Sequence, residues 1–352
     1  MKVIGKKWVQ LVLAMGLALQ AFAALPAHAK APQGERTQQP KAQVIRLDSA
    51  KGSYNFAVYS GADLRPANPG VRRAVIFLHG VKRDADRYFD VGLKLLETAH
   101  LDAPETLLLA PAFLTASDKP ADDKIPLWRG DNWMQCQMSV SGPVTVNSCE
   151  ALDDIVRYLT SGNHFPALKE IVLIGHSAGA QLLQRYAVLS QAEESLRKAG
   201  IQVRYVISSP SSYLYLDGNR PEGNGFAAVN SILCPGYNNY RYGPDNMVEY
   251  GQGLNGEQLF RRYAARDVTY LVGAQDNNPN HRVLDKSCSA RLQGTDRVDR
   301  HNNYLRYEQF LAQKWRVSVK REHMQVPGAG HEAAGIFESE AAAEKIFRVT
   351  GK

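Results

Sequence analysis

Gly175-His176-Ser177-Ala178-Gly179 follows directly on the apolar run Ile171-Val172-Leu173-Ile174 and leads into a helix-forming stretch, Ala178 to Gln191. A strand that ends in G-x-S-x-G and turns at once into a helix admits few folds. Only residues without side chains let strand and helix approach that closely, and the turn lifts a serine Oγ clear of the sheet. The helix N-terminus behind Ser177 adds partial positive charge where an oxyanion would form. A purely structural turn needs neither the strand before nor the helix after.

If Ser177 is a nucleophile, an acid and a histidine should follow in that order, each where a strand ends. Val268 to Gly273 reads as a strand, and Asp276 lies three residues beyond it. Val317 to Gln325 reads as another, and Val326-Pro327-Gly328-Ala329-Gly330-His331 puts His331 in a glycine-rich loop after it. Ser177 would then attack a carbonyl carbon, His331 would take its proton, and Asp276 would hold the imidazole tautomer. Asp285 and Asp245 compete for the acid, but both lie farther from the strand end. His323 falls inside the last expected strand, and His281 is too close in sequence to Asp276 for the usual crossover.

Earlier in the chain, Ala74 to Leu78 has the all-apolar look of a buried strand, and His79-Gly80-Val81 follows it. An oxyanion hole would draw one backbone N–H from Ala178 and a second from Gly80 or Val81. His79 reads as a brace for that loop. With His79-Gly80, the Gly-His-Ser-Ala-Gly turn, Asp276 and His331 together, the chain resembles a secreted serine hydrolase of the α/β-hydrolase superfamily from roughly Val44 to Phe347. The stretch from His79 to Phe89 is similar to a poorly characterised secreted bacterial subgroup. Hydrolases of polyesters and of poly(aspartic acid) share the same general plan. The resemblance implies an α/β fold with a mostly parallel sheet, helices on both faces, and no cofactor or metal.

Residues 1–29 read as a cleaved signal peptide. Lys2, Lys6 and Lys7 form the basic start, Leu11 to Ala24 the apolar core, and Ala27-His28-Ala29 a small-x-small cleavage site. The apolar run is shorter than the ~20 residues of a membrane span, and no lipobox cysteine implies an anchor. The expected location is therefore the periplasm or the medium. Cleavage removes three lysines and no acid, lowering the formal charge from +7 by three to +4. That balance does not indicate nucleic-acid binding, though it admits an acidic substrate. In an exported chain the four cysteines read as two disulfides. Cys136 and Cys149 flank the Gly142-Pro143 turn and suit a local bridge, which leaves Cys234 for Cys288.

Residues 30–41, rich in proline, glutamine and charge, read as a disordered lead-in, and 42–352 as one domain. Strands expected at Val44–Leu47, Tyr54–Tyr59, Ala74–Leu78, Thr106–Ala110, Ile171–Ile174, Val203–Ser208, Val268–Val272 and Val317–Glu322 alternate in the main with helical stretches. Two insertions, about 111–147 and 210–266, leave the sheet at its carboxyl edge and could overhang Ser177. The second is rich in tyrosine, which reads mostly as packing for the insertion itself. Trp128 and Trp133, with Arg-Gly-Asp-Asn between them, are the aromatic candidates for substrate contact, together with His176. Asn147 with Glu150 has the spacing of a helix capping box. The expected function is exported hydrolysis of a carboxylic ester through an acyl-enzyme, on a small-molecule or polymeric substrate. An amidase, peptidase or depolymerase using the same residues is the alternative. A non-catalytic ligand-binding protein on the same fold is the reading from another class.

Overall fold

The computed structural model describes residues 41–101 and 104–348. The expected signal peptide and the lead-in up to residue 40 lie outside the described residues. Lys41, the last residue of that lead-in, already begins a strand.

In chain order the strands are β1 (Lys41–Ser49), β2 (Gly52–Ser60), β3 (Arg73–Leu78), β4 (Thr106–Pro111), β5 (Glu170–His176), β6 (Gln202–Ser208), β7 (Asn219–Glu222), β8 (Gly225–Ala228), β9 (Asp267–Gly273) and β10 (Glu322–Val326). The helices are α1 (Ala85–Thr98), α2 (Ser148–Thr160), α3 (Ala178–Leu189), α4 (Ala192–Lys198), α5 (Gly256–Ala264), α6 (Cys288–Arg291), α7 (Arg297–Trp315), α8 (Ala333–Phe337) and α9 (Glu340–Phe347). Eight strands form one sheet in the order β1-β2-β4-β3-β5-β6-β9-β10. From β4 to β10 neighbouring strands run parallel, while β1 and β2 are antiparallel additions at one edge. β7 and β8 make a separate small hairpin.

Burial follows topology. Along β2 buried residues alternate with partly exposed ones, as in an antiparallel strand covered on one face, whereas β4 is buried at every position. Alternate side chains of the parallel strands enter two different layers. Ile76, Leu109, Ile171, Leu173 and Ile207 pack with α2, α3, α5 and α7. Val75, Phe77, Leu108, Val172, Ile174 and Val206 pack with α1, α8 and α9 on the other side. All twelve residues of α3 are buried, so the helix behind Ser177 is fixed from every side.

Most expected strands lie within a residue or two of the observed ones. The last does not, since Val317 to Arg321 is irregular and β10 begins only at Glu322. The alternating valines 317 and 319 pack against the core from a loop instead. The second insertion, expected over 210–266, fills the stretch between β6 and β9 and carries β7, β8 and α5. α5 begins at Gly256, capped by Asn255, whose side chain accepts from the Gln258 N–H at 3.0 Å. The box at Asn147 forms in both directions, Glu150 N–H to Asn147 at 2.8 Å and Asn147 N–H to Glu150 at 3.1 Å. Among the described residues no helix is long and apolar enough to cross a membrane.

Candidate active site

Three parallel strands deliver three side chains to one point. Ser177 follows β5, Asp276 lies in the loop after β9, and His331 lies in the loop after β10. Ser177 Oγ stands 3.0 Å from His331 Nε2, and His331 Nδ1 stands 2.7 Å from Asp276 Oδ2. Ser177 has φ 54° and ψ −114°, a strained conformation that the glycines on either side allow. A Cβ on Gly175 would stand 2.5 Å from the Gly179 carbonyl oxygen. One on Gly179 would stand 2.5 Å from the oxygen of Leu78 and 2.6 Å from that of His79. The motif glycines are therefore demanded by backbone running against backbone.

Burial works to raise the Asp276 carboxyl, but the His331 hydrogen bond and the Arg297 guanidinium beside it outweigh that effect. Asp276 is held below the usual carboxylate range and stays charged. Its other oxygen, Oδ1, accepts from the Arg297 guanidinium at 3.1 Å. Sequence reasoning passed over Arg297. It lies in a polar run that reads as a solvated helix face, and its partner is brought in by the fold.

Ala178 opens α3, so its N–H has no acceptor within the helix and is free to serve an oxyanion. On the facing loop, Gly80 lies against the Tyr88 hydroxyl, which a Cβ at that position would approach to 2.8 Å. His79 is fully buried. Its Nε2 accepts from the Phe113 N–H at 3.0 Å, so Nδ1 carries the proton and donates to the Gly80 carbonyl at 2.9 Å. Burial pushes this imidazole down to about 4, so it stays neutral and ties the Gly80 loop to the chain after β4.

His176 does not face substrate. It is 2 % exposed, with Nε2 2.8 Å from the His331 carbonyl oxygen and Nδ1 3.2 Å from Ser208 Oγ. Burial and the neighbouring His331 push it down to about 3. Its place is beneath the backbone of His331, as a support. Trp128 and Trp133 are also corrected by their positions, at 0 % and 1 % exposure. Trp133 stacks on Phe113 at 5.7 Å and lies 4.6 Å from the His79 ring, while Trp128 donates its indole N–H to the Gln137 carbonyl. Both rings anchor the first insertion in the core beneath the sheet, beside Phe56 and Phe113. The exposed part of the segment is Arg129, Gly130 and Asp131 between them.

The rival residues have other engagements. Asp285 accepts from the Tyr242 hydroxyl at 2.7 Å and from Arg241 at 3.2 Å, a network that ties the second insertion to the loop after Asp276. Arg241 also pairs with Asp131 of the first insertion at 3.0 Å. His323 is exposed on β10. His281 lies edge-on to His331, ring centres 5.0 Å apart, with Nδ1 3.3 Å from Arg297. The cysteines join as Cys136–Cys149 and Cys234–Cys288, with Cα separations of 4.9 Å and 5.9 Å.

A mostly parallel sheet with a strained serine between β5 and α3 defines a hydrolase architecture, and the comparisons agree. The chain belongs to the Alpha/beta hydrolase family, whose model matches residues 75–345. Its fold is similar to that of poly(aspartic acid) hydrolase-1 from Sphingomonas sp. KT-1, at 17 % identity and TM-score 0.59. That match covers 88 % of this chain and 99 % of the other. It is also similar to LpqC, a poly(3-hydroxybutyrate) depolymerase from Bordetella parapertussis, at 20 % identity and TM-score 0.60, covering 89 % and 92 %. No curated protein matches the chain by sequence.

Proposed function

We propose that the protein is an exported serine hydrolase that cleaves a carboxylic ester through a Ser177–His331–Asp276 triad. The observation that carries this reading is the unbroken chain of contacts from Ser177 Oγ to His331 Nε2 at 3.0 Å and from His331 Nδ1 to Asp276 at 2.7 Å. His331 takes the proton as Ser177 Oγ attacks the carbonyl carbon, and Asp276 stabilises the imidazolium that forms. The N–H of Ala178, with that of Gly80 or Val81, receives the oxyanion. The protonated His331 then gives its proton to the leaving alcohol. Water, activated by the same histidine, releases the acid from the acyl-enzyme.

Two paired cysteine sets support an oxidising compartment. Similarity to one polyester and one poly(aspartic acid) hydrolase keeps a polymeric substrate, ester or amide, as the second reading. A fluorophosphonate probe tests the triad: it should label wild type and not Ser177→Ala. A panel of p-nitrophenyl esters beside anilides, polyester and polyaspartate should show fastest turnover on esters. Failure to label would leave a ligand-binding role on this fold, and turnover confined to amides would replace esterase with amidase.

A further inference from the structure

Arg297 opens α7 with its side chain 0 % exposed against an Asp276 that is 2 % exposed. One Nη reaches Asp276 Oδ1 at 3.1 Å and His281 Nδ1 at 3.3 Å, and the other donates to the Val283 carbonyl at 3.2 Å. Three residues on, and also buried, Arg300 donates to backbone carbonyls. Its Nε donates to Gly294 O at 2.9 Å, one Nη to Asp285 O at 2.9 Å, and the other to Ser211 O. Both arginines staple the loop that follows Asp276 to the start of α7. Only Arg297 touches the acid.

We infer that Arg297 is a positioning residue for the proposed triad, a buried cation that fixes the Asp276 carboxylate so that Oδ2 meets His331. The inference rests on the triad reading. Asp276 has two oxygens and needs one of them aimed at His331 Nδ1, so an anchor on Oδ1 removes the rotation that would spoil the aim. The bond is charge-assisted and out of water, which makes it directional and hard for solvent to replace. The guanidinium also opposes the gain of a proton by the Asp276–His331 pair. The other titratable groups facing this pair are His176 from β5, His281 from the loop after β9, and Glu332 beside His331, with Arg300 behind Arg297.

The test uses Arg297→Lys and Arg297→Met, with Arg300→Lys as control, each assayed on a p-nitrophenyl ester from pH 5 to 9. Both Arg297 variants should lose kcat on the order of 10²-fold with KM little changed, the size expected when a catalytic group is misaimed. In Arg297→Met the acidic limb of kcat/KM should move to higher pH by about half a unit or more, because the opposing cation is gone. Arg300→Lys should leave kcat and the limb in place. In an Asp276→Asn background, Arg297→Lys should cost nothing further. Folded Arg297 variants with wild-type kcat and pH limb would overturn the inference, as would additive losses in the double variant. A readout that needs no variant is the Arg297 Nη–H resonances of 15N-arginine-labelled wild type. They should shift when a fluorophosphonate blocks Ser177 and charges His331, and no shift would overturn the inference. Wild type that neither hydrolyses nor labels would instead overturn the triad reading itself.

Discussion

Between Gly175 and Gly179 the chain holds Ser177 by backbone geometry, with two glycines pressed on carbonyl oxygens and a helix buried all round. Between Asp276 and Arg300 the chain is held by side chains that the fold brings together: Arg297, from the far end of the same segment, on Asp276, and Tyr242, Arg241 and Cys234, from the second insertion, on Asp285 and Cys288. The first region is local, apolar and steric; the second is long-range, polar and ionic. A local steric device is written in a few adjacent residues. A network of charges is written in residues that mean nothing until the fold assembles them.

Substitutions at the two ends should break different things. The largest effect belongs to Ser177→Ala, expected to fold normally and lose about 10⁶ in kcat, the scale of losing a triad nucleophile. A variant keeping more than a small fraction of turnover on every substrate would refute the role given to Ser177. On the acid side, Asp276→Asn should cost about 10⁴ in rate by holding the wrong imidazole tautomer. Asp285→Asn should act on stability and scarcely on kcat, since its partners are Tyr242, Arg241 and local backbone. Reversed results would move the acid to Asp285.

Gly179→Ala sharpens the steric half of the comparison. Its new methyl would stand 2.5 Å from the Leu78 oxygen, so β3 and α3 must separate. The expected loss is about 3 kcal/mol of stability, read as a lower urea midpoint, with weaker fluorophosphonate labelling. An unchanged midpoint would show that the elbow has more room than its geometry implies.

The same contrast explains what could be read from the sequence. Parallel strands buried on both faces are continuous apolar runs, so β3 to β6 and β9 were legible almost to the residue. Ser177, Asp276 and His331 were legible because each sits at a strand end, in chain order. The β7–β8 hairpin was not, since Asn219-Arg220-Pro221-Glu222 carries no β pattern. Val317-Ser318-Val319 alternates like a strand yet lies in a loop, while Arg321 beside it is buried on Glu308 at 2.9 Å. Trp128 and Trp133 misled because aromatic residues beside polar ones suit both a cleft and an anchor in the main core. Arg297 carried no local signal at all. Its identity as a buried cation depends on where β9 and α7 meet.

Acid should separate the two regions by a smaller effect. On the elbow side His79 and His176 are buried and pushed down to about 4 and about 3. In the unfolded chain each titrates near 6.5. Below that pH the unfolded state binds more protons than the folded one, so stability falls as pH falls, until the folded histidines themselves titrate. Each contributes a loss of about 1.4 kcal/mol per pH unit in that window, or roughly 2 kcal/mol between pH 6.5 and pH 5. On the acid side Asp276 and Asp285 are held below the usual carboxylate range. Their stabilisation is present above the unfolded carboxylate value near 4 and is lost only below it. Urea melts between pH 7 and 5 should therefore report the histidines, and melts below pH 4 should add the carboxylates. His176→Gln, which keeps a polar group under the His331 carbonyl, should flatten the first window by about a third. His79 and His301 supply the rest, His301 being buried with no polar partner among the described residues and pushed down to about 3. A pH 7 to 5 loss that His176→Gln leaves untouched would mean that this imidazole takes up a proton in the fold. The support it gives to His331 would then have to be ionic.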